Sequence, residues 1–410
     1  MIVRLIAVMA FAACTTNVLA DEPKLSNATK VFPTSQPAYK HPNRYHAFTM
    51  RLSPDGKHVL YTRPVAGTKQ SDEDDGSARY AVVLRELDGG KETVLPVGPL
   101  DAGWRGVPTR WNMFDPAGTR LLLPNLKVEM RSISEADEEG SVSAKATVST
   151  TTIEWSIFNV TKGETDDTTL GGDGRGSAKF TADGEAVLLT VMAGRMEMAT
   201  EIISLMNDSV TPSKRLTVPG WVQSVSPVGD VAVFFAPPAR PVDPPESDQP
   251  MERPPMRLIL WDLEADQELA EIPTHPRNTG LDDWEPQWTA NGRYLYYMDV
   301  DEVPAEGEAD RPTYRSVTRI WDRQAGKLAG TVSDAQPVGP GPGQLMVLAK
   351  RSSGGFLLHD AASGKEYPLG DASEKLIHAY GGKVIYAQES DDSEAEDVFV
   401  ADIIVPTATE

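Results

Sequence analysis

Ser53-Pro54-Asp55-Gly56-Lys57-His58-Val59-Leu60-Tyr61 is the stretch whose reading decides the fold. Proline pre-sets the first corner of a turn, and glycine accepts the left-handed site that closes it. The apolar β-formers after the glycine then read as a strand. The same phrase recurs as Asp115-Pro116-Ala117-Gly118 before Leu121-Leu122-Leu123, and as Thr181-Ala182-Asp183-Gly184 before Val187-Leu188-Leu189. It returns as Ser226-Pro227-Val228-Gly229 before Val231-Ala232-Val233-Phe234, and as Thr289-Ala290-Asn291-Gly292 before Tyr294-Leu295-Tyr296-Tyr297. Weaker copies begin at Gly343 and Gly382. Each phrase predicts a strand, a tight turn and a second strand.

Two further regularities complete the unit. Four residues before the turn glycine stand Leu52, Phe114, Phe180, Val225 and Trp288, an apolar slot that predicts packing between adjacent units. After each apolar strand comes another strand ending in a turn: Leu260-Trp261-Asp262, Ile320-Trp321-Asp322 and Leu358-His359-Asp360 each precede a short polar turn. Four strands per repeated unit make a propeller blade. The expected fold class is therefore all-β, a β-propeller of seven four-stranded blades. The degenerate last two copies leave six and eight open. The propeller is placed at 44–406, with a C-terminal tail at 407–410. The polar segment before it, 21–43, contains Pro23, Pro33, Pro37 and Pro42 and reads as a tether, part of which is expected to pair with the last blade and close the ring.

Ser53-Pro54-Asp55-Gly56-Lys57 and Pro286-Gln287-Trp288-Thr289-Ala290-Asn291-Gly292 resemble the TolB-type, WD40-like propeller repeats of bacterial envelope proteins. The resemblance runs over roughly 44–406 and implies a fold more than a function. Such propellers serve as binding platforms or as accessory domains of peptidases. The expectation here is a propeller without the C-terminal hydrolase domain that those peptidases add.

Met1–Ala20 reads as a secretory leader, with Arg4 ahead of a short apolar core and small or compact residues before a cut at Asp21. Its apolar run is too short to span a bilayer. A rival reading takes Phe11-Ala12-Ala13-Cys14 as a lipobox, with Cys14 lipidated and the protein membrane-anchored. Cys14 is the single cysteine of the chain, so a disulfide framework within the chain is excluded. The expected location is periplasmic or secreted.

The 410 residues carry 39 Lys and Arg against 60 Asp and Glu, a formal charge of −21. That sign argues against nucleic acid and anionic membranes as partners. Five insertions between the second and third strands of blades hold 24 of the acids and no Lys or Arg: 70–77, 135–140, 243–252, 299–310 and 389–397. In a propeller these connections share one face. Asp72, Asp74, Asp137, Glu138, Asp301, Glu302, Asp391 and Asp392 are thus candidates for an acidic face on a nearly neutral body. Such a face could dock a cationic partner or loosely hold calcium, or it could simply keep a β-rich protein soluble. No other cofactor and no metal site is expected. The proline-rich insertion 236–255 reads as an extended arm.

Catalytic motifs are absent from the sequence: no G-x-S-x-G, H-E-x-x-H, C-x-x-C or Walker loop occurs. No pair of the six histidines has metal-ligand spacing, and His359 and His378 read as structural. Aromatic residues on the approach to the inner strands are the remaining binding candidates: Trp104, Trp221 and Trp284, with Arg105, Arg110, Asp282 and Asp283 beside them. Such a ring could hold sugar or peptide, or could serve blade packing. The expected function is a non-catalytic module recognising a protein or peptide. The alternative is a propeller hydrolase or lyase acting on glycan or peptide in the central channel.

Overall fold

In the computed structural model the described residues are 22–26, 28–32, 50–65, 79–97, 100–101, 113–136, 142–170, 177–192, 198–205, 212–237, 256–275, 278, 285–303, 313–389 and 396–406. They form seven antiparallel sheets and, among the described residues, no helix. Blade one comprises Met50–Leu52, His58–Pro64, Arg79–Glu86 and Glu92–Val94. Blade two has Arg120–Ala136, Val142–Asn159 and Glu164–Leu170, its inner edge reduced to a bridge between Phe114 and Leu121. Blades three to six begin at Ala178–Phe180, Trp221–Val225, Gln287–Trp288 and Ala335–Pro340, and each has four strands in sequence order.

The repeated turn is held by a small hydrogen-bond set that explains its composition. In blade one, the Ser53 hydroxyl donates to Asp55 Oδ1 at 2.6 Å, the Lys57 amide donates to the same oxygen, and the Gly56 amide donates to the Ser53 carbonyl. Gly56 sits at φ 67°, a region closed to most residues. Thr181 with Asp183, and Thr289 with Asn291, repeat the arrangement at 2.6 and 2.7 Å. In these three turns a hydroxyl, a carboxylate or amide, and glycine supply the set, while in blade two the Asp115 carboxylate accepts the Thr119 and Arg120 amides instead.

The second strand of every blade is buried on both faces. Leu121, Leu122 and Leu123, Val187, Leu188 and Leu189, and the whole of Val231–Ala236 are buried. A sheet covered on both sides loses the alternation of a half-exposed strand and reads as a continuous apolar run. Its partners are the neighbouring blades. One core cluster joins Leu60 and Leu84 of blade one to Leu122 and Trp155 of blade two and to Phe180 and Val187 of blade three. Further clusters join each later pair, and the last joins Ile377, Ile385 and Val400 of blade seven to Met50, Leu52 and Tyr61 of blade one. The ring is continuous.

Closure uses the N-terminal segment. Blade seven supplies only Glu374–Tyr380, Lys383–Glu389 and Glu396–Ile404 from its own region. Lys24 and Leu25 pair antiparallel with Ile404 and Ile403, and Thr29 and Lys30 with Val400 and Phe399, completing its outer edge. The chain then crosses to blade one, where Phe32 meets Tyr61 edge-on at 5.2 Å and Arg85 covers the Phe32 ring. The pairing expected for part of the tether is thus present.

Two insertions begin as ladder rather than loop. Blade two extends into a hairpin paired from Arg120↔Asn159 to Ala136↔Val142, so Glu135 lies in a strand. Blade five is paired out to Val303↔Thr313. Because the strands continue, some inserted acids acquire partners that a loop would not supply. Arg319 donates to buried Asp299 and to Asp301, each at 2.6 Å, and Lys30 meets Asp397 at 2.7 Å. Residues 1–20 and 238–255, read from sequence as a leader and an arm, lie outside the described residues.

Blades six and seven come together tightly at Gly339, where an added Cβ would stand 1.8 Å from the Ala379 carbonyl oxygen. Gly339→Ala should therefore lower stability by about 2 kcal/mol or more, measured by chemical denaturation. A chain starting at Val31 should melt at lower temperature and aggregate, because the last strand becomes an unpaired edge. Calorimetry and light scattering would check both effects.

Candidate functional site

Repetition places equivalent residues at one height around the channel. Arg51, Lys179, Ser224 and Gln287 each stand five residues before their turn glycine. They pair with Leu60, Leu188, Val233 and Tyr296, which are equivalent residues of the second strands. The layer is thus charged or polar on blades one, three, four and five. The neighbouring slot of blade seven holds His378, whose Nδ1 accepts the Leu52 amide of blade one at 3.0 Å. That bond leaves the ring proton of the neutral form on Nε2.

The channel widens on the turn face into a cavity of about 170 Å³ with contributions from every blade. Pro54, Pro116, Pro227, Pro286 and Pro340 form much of its rim, with Phe180, Trp288 and Tyr380 as aromatic wall. Lys179 and Glu285 are its charged members. Their side chains, only 7% and 11% exposed, meet at 2.5 Å, which links blade three to blade five past blade four. Gln287 steadies the approach by donating from Nε2 to the Glu285 carbonyl at 3.0 Å. The Ser224 hydroxyl is buried without a hydrogen-bond partner among the described residues.

Electrostatics in this layer are coupled. Burial pushes the Lys179 ammonium down, Glu285 opposes that shift, and Arg51 adds to it. Burial likewise lowers Arg51, with Glu285 opposing, although a guanidinium stays protonated in proteins. Burial and the Arg51 charge hold His378 well below its ordinary value, so it is neutral. Burial and Glu285 raise the Tyr380 phenol. Lys179, Arg51 and Glu285 are thus one electrostatically coupled set. It can orient a ligand through charge and hydrogen bonds.

Most residues singled out from sequence lie elsewhere. Trp221 opens the inner strand of blade four, meets Phe235 edge-on at 4.8 Å and does not line the cavity. Trp104, Arg105, Arg110, Asp282, Asp283 and Trp284 fall outside the described residues, as do Asp72, Asp74, Asp137, Glu138, Asp391 and Asp392. Asp301 is ion-paired with Arg319, and Glu302 stands opposite Tyr314 in the ladder. His359 is buried, with its Nδ1 2.8 Å from the Tyr296 hydroxyl of blade five. Arg51, Lys179 and Glu285 were missed. Aligning the copies on their glycines would have found the first two, since that column holds two cations where the adjacent slot is apolar.

No family model matches the sequence, and no curated protein matches it. Among solved structures, the chain is similar to the β-propeller domain of the trilobed protease from Pyrococcus furiosus, described as having an open velcro topology. Identity is 12% and TM-score 0.45, over 93% of this chain and 96% of that one. It is also similar to a chain of a mitotic checkpoint complex, with 10% identity and TM-score 0.49, over 98% and 99% of the two chains. Acylaminoacyl peptidase from Pyrococcus horikoshii gives 13% identity and TM-score 0.42, over 69% of this chain and 45% of that one. The likeness to TolB-type repeats rests on the sequence phrases alone.

Removing Glu285 takes from the buried Lys179 ammonium its ion-pair partner, whereas removing Lys179 leaves Glu285 near the Arg51 charge. Glu285→Leu should thus cost about 3–5 kcal/mol and Lys179→Met clearly less, by urea denaturation. His359 and His378 are neutral when folded, but free histidine takes up a proton near pH 6.5. The unfolded chain then binds more protons than the native one, so stability falls as pH drops through about 6.5 toward 5. A melting-temperature series in pH should show this fall, and His378→Gln should flatten it.

Proposed function

We propose that this protein is an extracytoplasmic, non-catalytic binding module that receives a segment of a protein or peptide partner in the channel mouth on its turn face. The observation that carries the reading is the convergence of seven turns on one concave mouth. A proline and aromatic rim there surrounds a charged floor. Apolar walls with a few fixed polar groups are the usual make-up of a recognition site. The reading of Met1–Ala20 as a secretory leader supports the location, with membrane attachment only if Cys14 is lipidated. The net charge of −21 supports a protein rather than nucleic acid as partner.

The turn face is the end of each blade opposite the second-to-third insertions, because neighbouring strands run antiparallel. A photo-crosslinking amino acid at Ala290, on the rim, should therefore capture a discrete partner from an envelope extract. The same probe at Leu269, exposed on the outer strand of blade four, should not. Equal capture at both positions, or turnover of glycan or peptide by the purified protein, would contradict the reading.

A further inference from the structure

The second strand of blade one has seven residues and that of blade four six, whereas that of blade two, Arg120–Ala136, has seventeen. Its partner Val142–Asn159 follows it along the whole length. The outer strand Glu164–Leu170 pairs only from Asn159 back to Trp155, and the inner edge is the bridge at Leu121. From Leu126↔Ile153 to Ala136↔Val142 the ladder is therefore two strands wide among the described residues. At about 3.3 Å per residue, this run carries the ribbon roughly 35 Å past the blade. A two-stranded ribbon is marginal in water, and three or more strands give independent stability.

The two edges of the ribbon differ in sequence. Residues 126–136 include Lys127, Glu129, Arg131 and Glu135. Residues 142–153, Val-Ser-Ala-Lys-Ala-Thr-Val-Ser-Thr-Thr-Thr-Ile, hold one charge, Lys145, and no proline or glycine. Charge and proline are among the devices that keep an edge strand from pairing with another chain. One edge has charge in quantity and the other nearly lacks it, while its threonine, valine and isoleucine favour a strand.

We infer that the open edge pairs with the same edge of a second copy of this chain, antiparallel and two-fold about Thr147. The product is a four-stranded sheet with the charged strands outside. A second copy supplies a strand of matching length and leaves only guarded edges, so assembly stops at two. In a two-fold antiparallel pair, opposed residues share a face, so the centre falls on a residue. Thr147 is the midpoint of 142–152, a span that ends short of Trp155, where Glu164–Leu170 takes over the edge. This register sets Lys145 opposite Ser149, so no like charges meet. The two bodies, each of −21, stand apart by about the length of the ribbon, several times the screening length of ~8 Å at physiological salt.

The test uses the chain from Asp21 onward, which lacks Cys14 and so holds no cysteine. Sedimentation at micromolar concentration should give twice the chain mass. Thr147→Lys sets lysine opposite lysine at the centre and should weaken dimerisation about tenfold. Ser132→Lys, opposite Thr147 on the guarded strand, should leave it unchanged. Thr147→Cys should yield a covalent dimer on mild oxidation, because directly opposed strand residues lie within disulfide reach. Ala144→Cys, whose partner in this register is Thr150, should not. A monomer at every concentration would overturn the inference. So would a dimer that Thr147→Lys leaves intact, one that both lysines weaken equally, or a series of ever larger assemblies, which two open edges would give. Mass and cross-linking do not depend on the lysine variants, so a folding failure there leaves the inference testable.

Discussion

Each blade's second strand is buried on both faces, and the rest of the structure follows from that constraint. A sheet that is apolar on both sides needs two neighbours, and those neighbours need neighbours in turn. An open row would leave two apolar ends in water. A ring leaves none, provided the last blade meets the first. The cluster joining Ile377 and Val400 to Leu52 and Tyr61 is that meeting point. The N-terminal segment reinforces it by pairing with the outer edge of blade seven and then packing Phe32 on blade one. Sequence ends about 380 residues apart are thus joined in one sheet, and opening that sheet would expose core as well as edge.

The channel is a consequence of the same geometry. Once the slots four before each turn glycine are committed to interblade packing, the residues beside them converge at one height near the axis. Blades two and six place Met113 and Gly339 in that layer, whereas blades one, three, four and five place charged or polar residues there. Charge at Arg51 and Lys179 stands out, because burial there lowers both groups and Glu285 opposes that shift. The Lys179–Glu285 pair joins non-adjacent blades across the channel rather than packing one blade on the next.

The fold was legible because its signals are local and repeated. The Ser53, Thr181 and Thr289 turns each need a hydroxyl, an Asp or Asn, and a glycine within a few residues, and the double burial of second strands writes apolar runs beside them. Even the edge supplied by the tether could be anticipated, since a last blade short of a strand needs one. The site was not legible in the same way. Arg51, Lys179 and Glu285 are distant in sequence, on inner strands of two or three residues or just before one, too short for a period to declare which side faces the axis. Single charges beside apolar slots look like the solvent side of an edge strand. The acidic insertions were legible as composition. The ion pairs of Asp299, Asp301 and Asp397 were not, because they depend on ladders continuing past the blade and on a distant lysine.

Closure of the ring through blade seven is the claim on which cavity, layer and site depend. Hydrogen exchange measured by mass spectrometry over Glu396–Ile404 tests it most directly, because that strand is paired on one side by Lys383–Glu389 and on the other by the N-terminal segment. The account predicts that these amides exchange only through global unfolding, as slowly as those of Val231–Ala236 in the core of blade four. Exchange of Glu396–Ile404 at the rate of a frayed terminus, with blade four still protected, would contradict it.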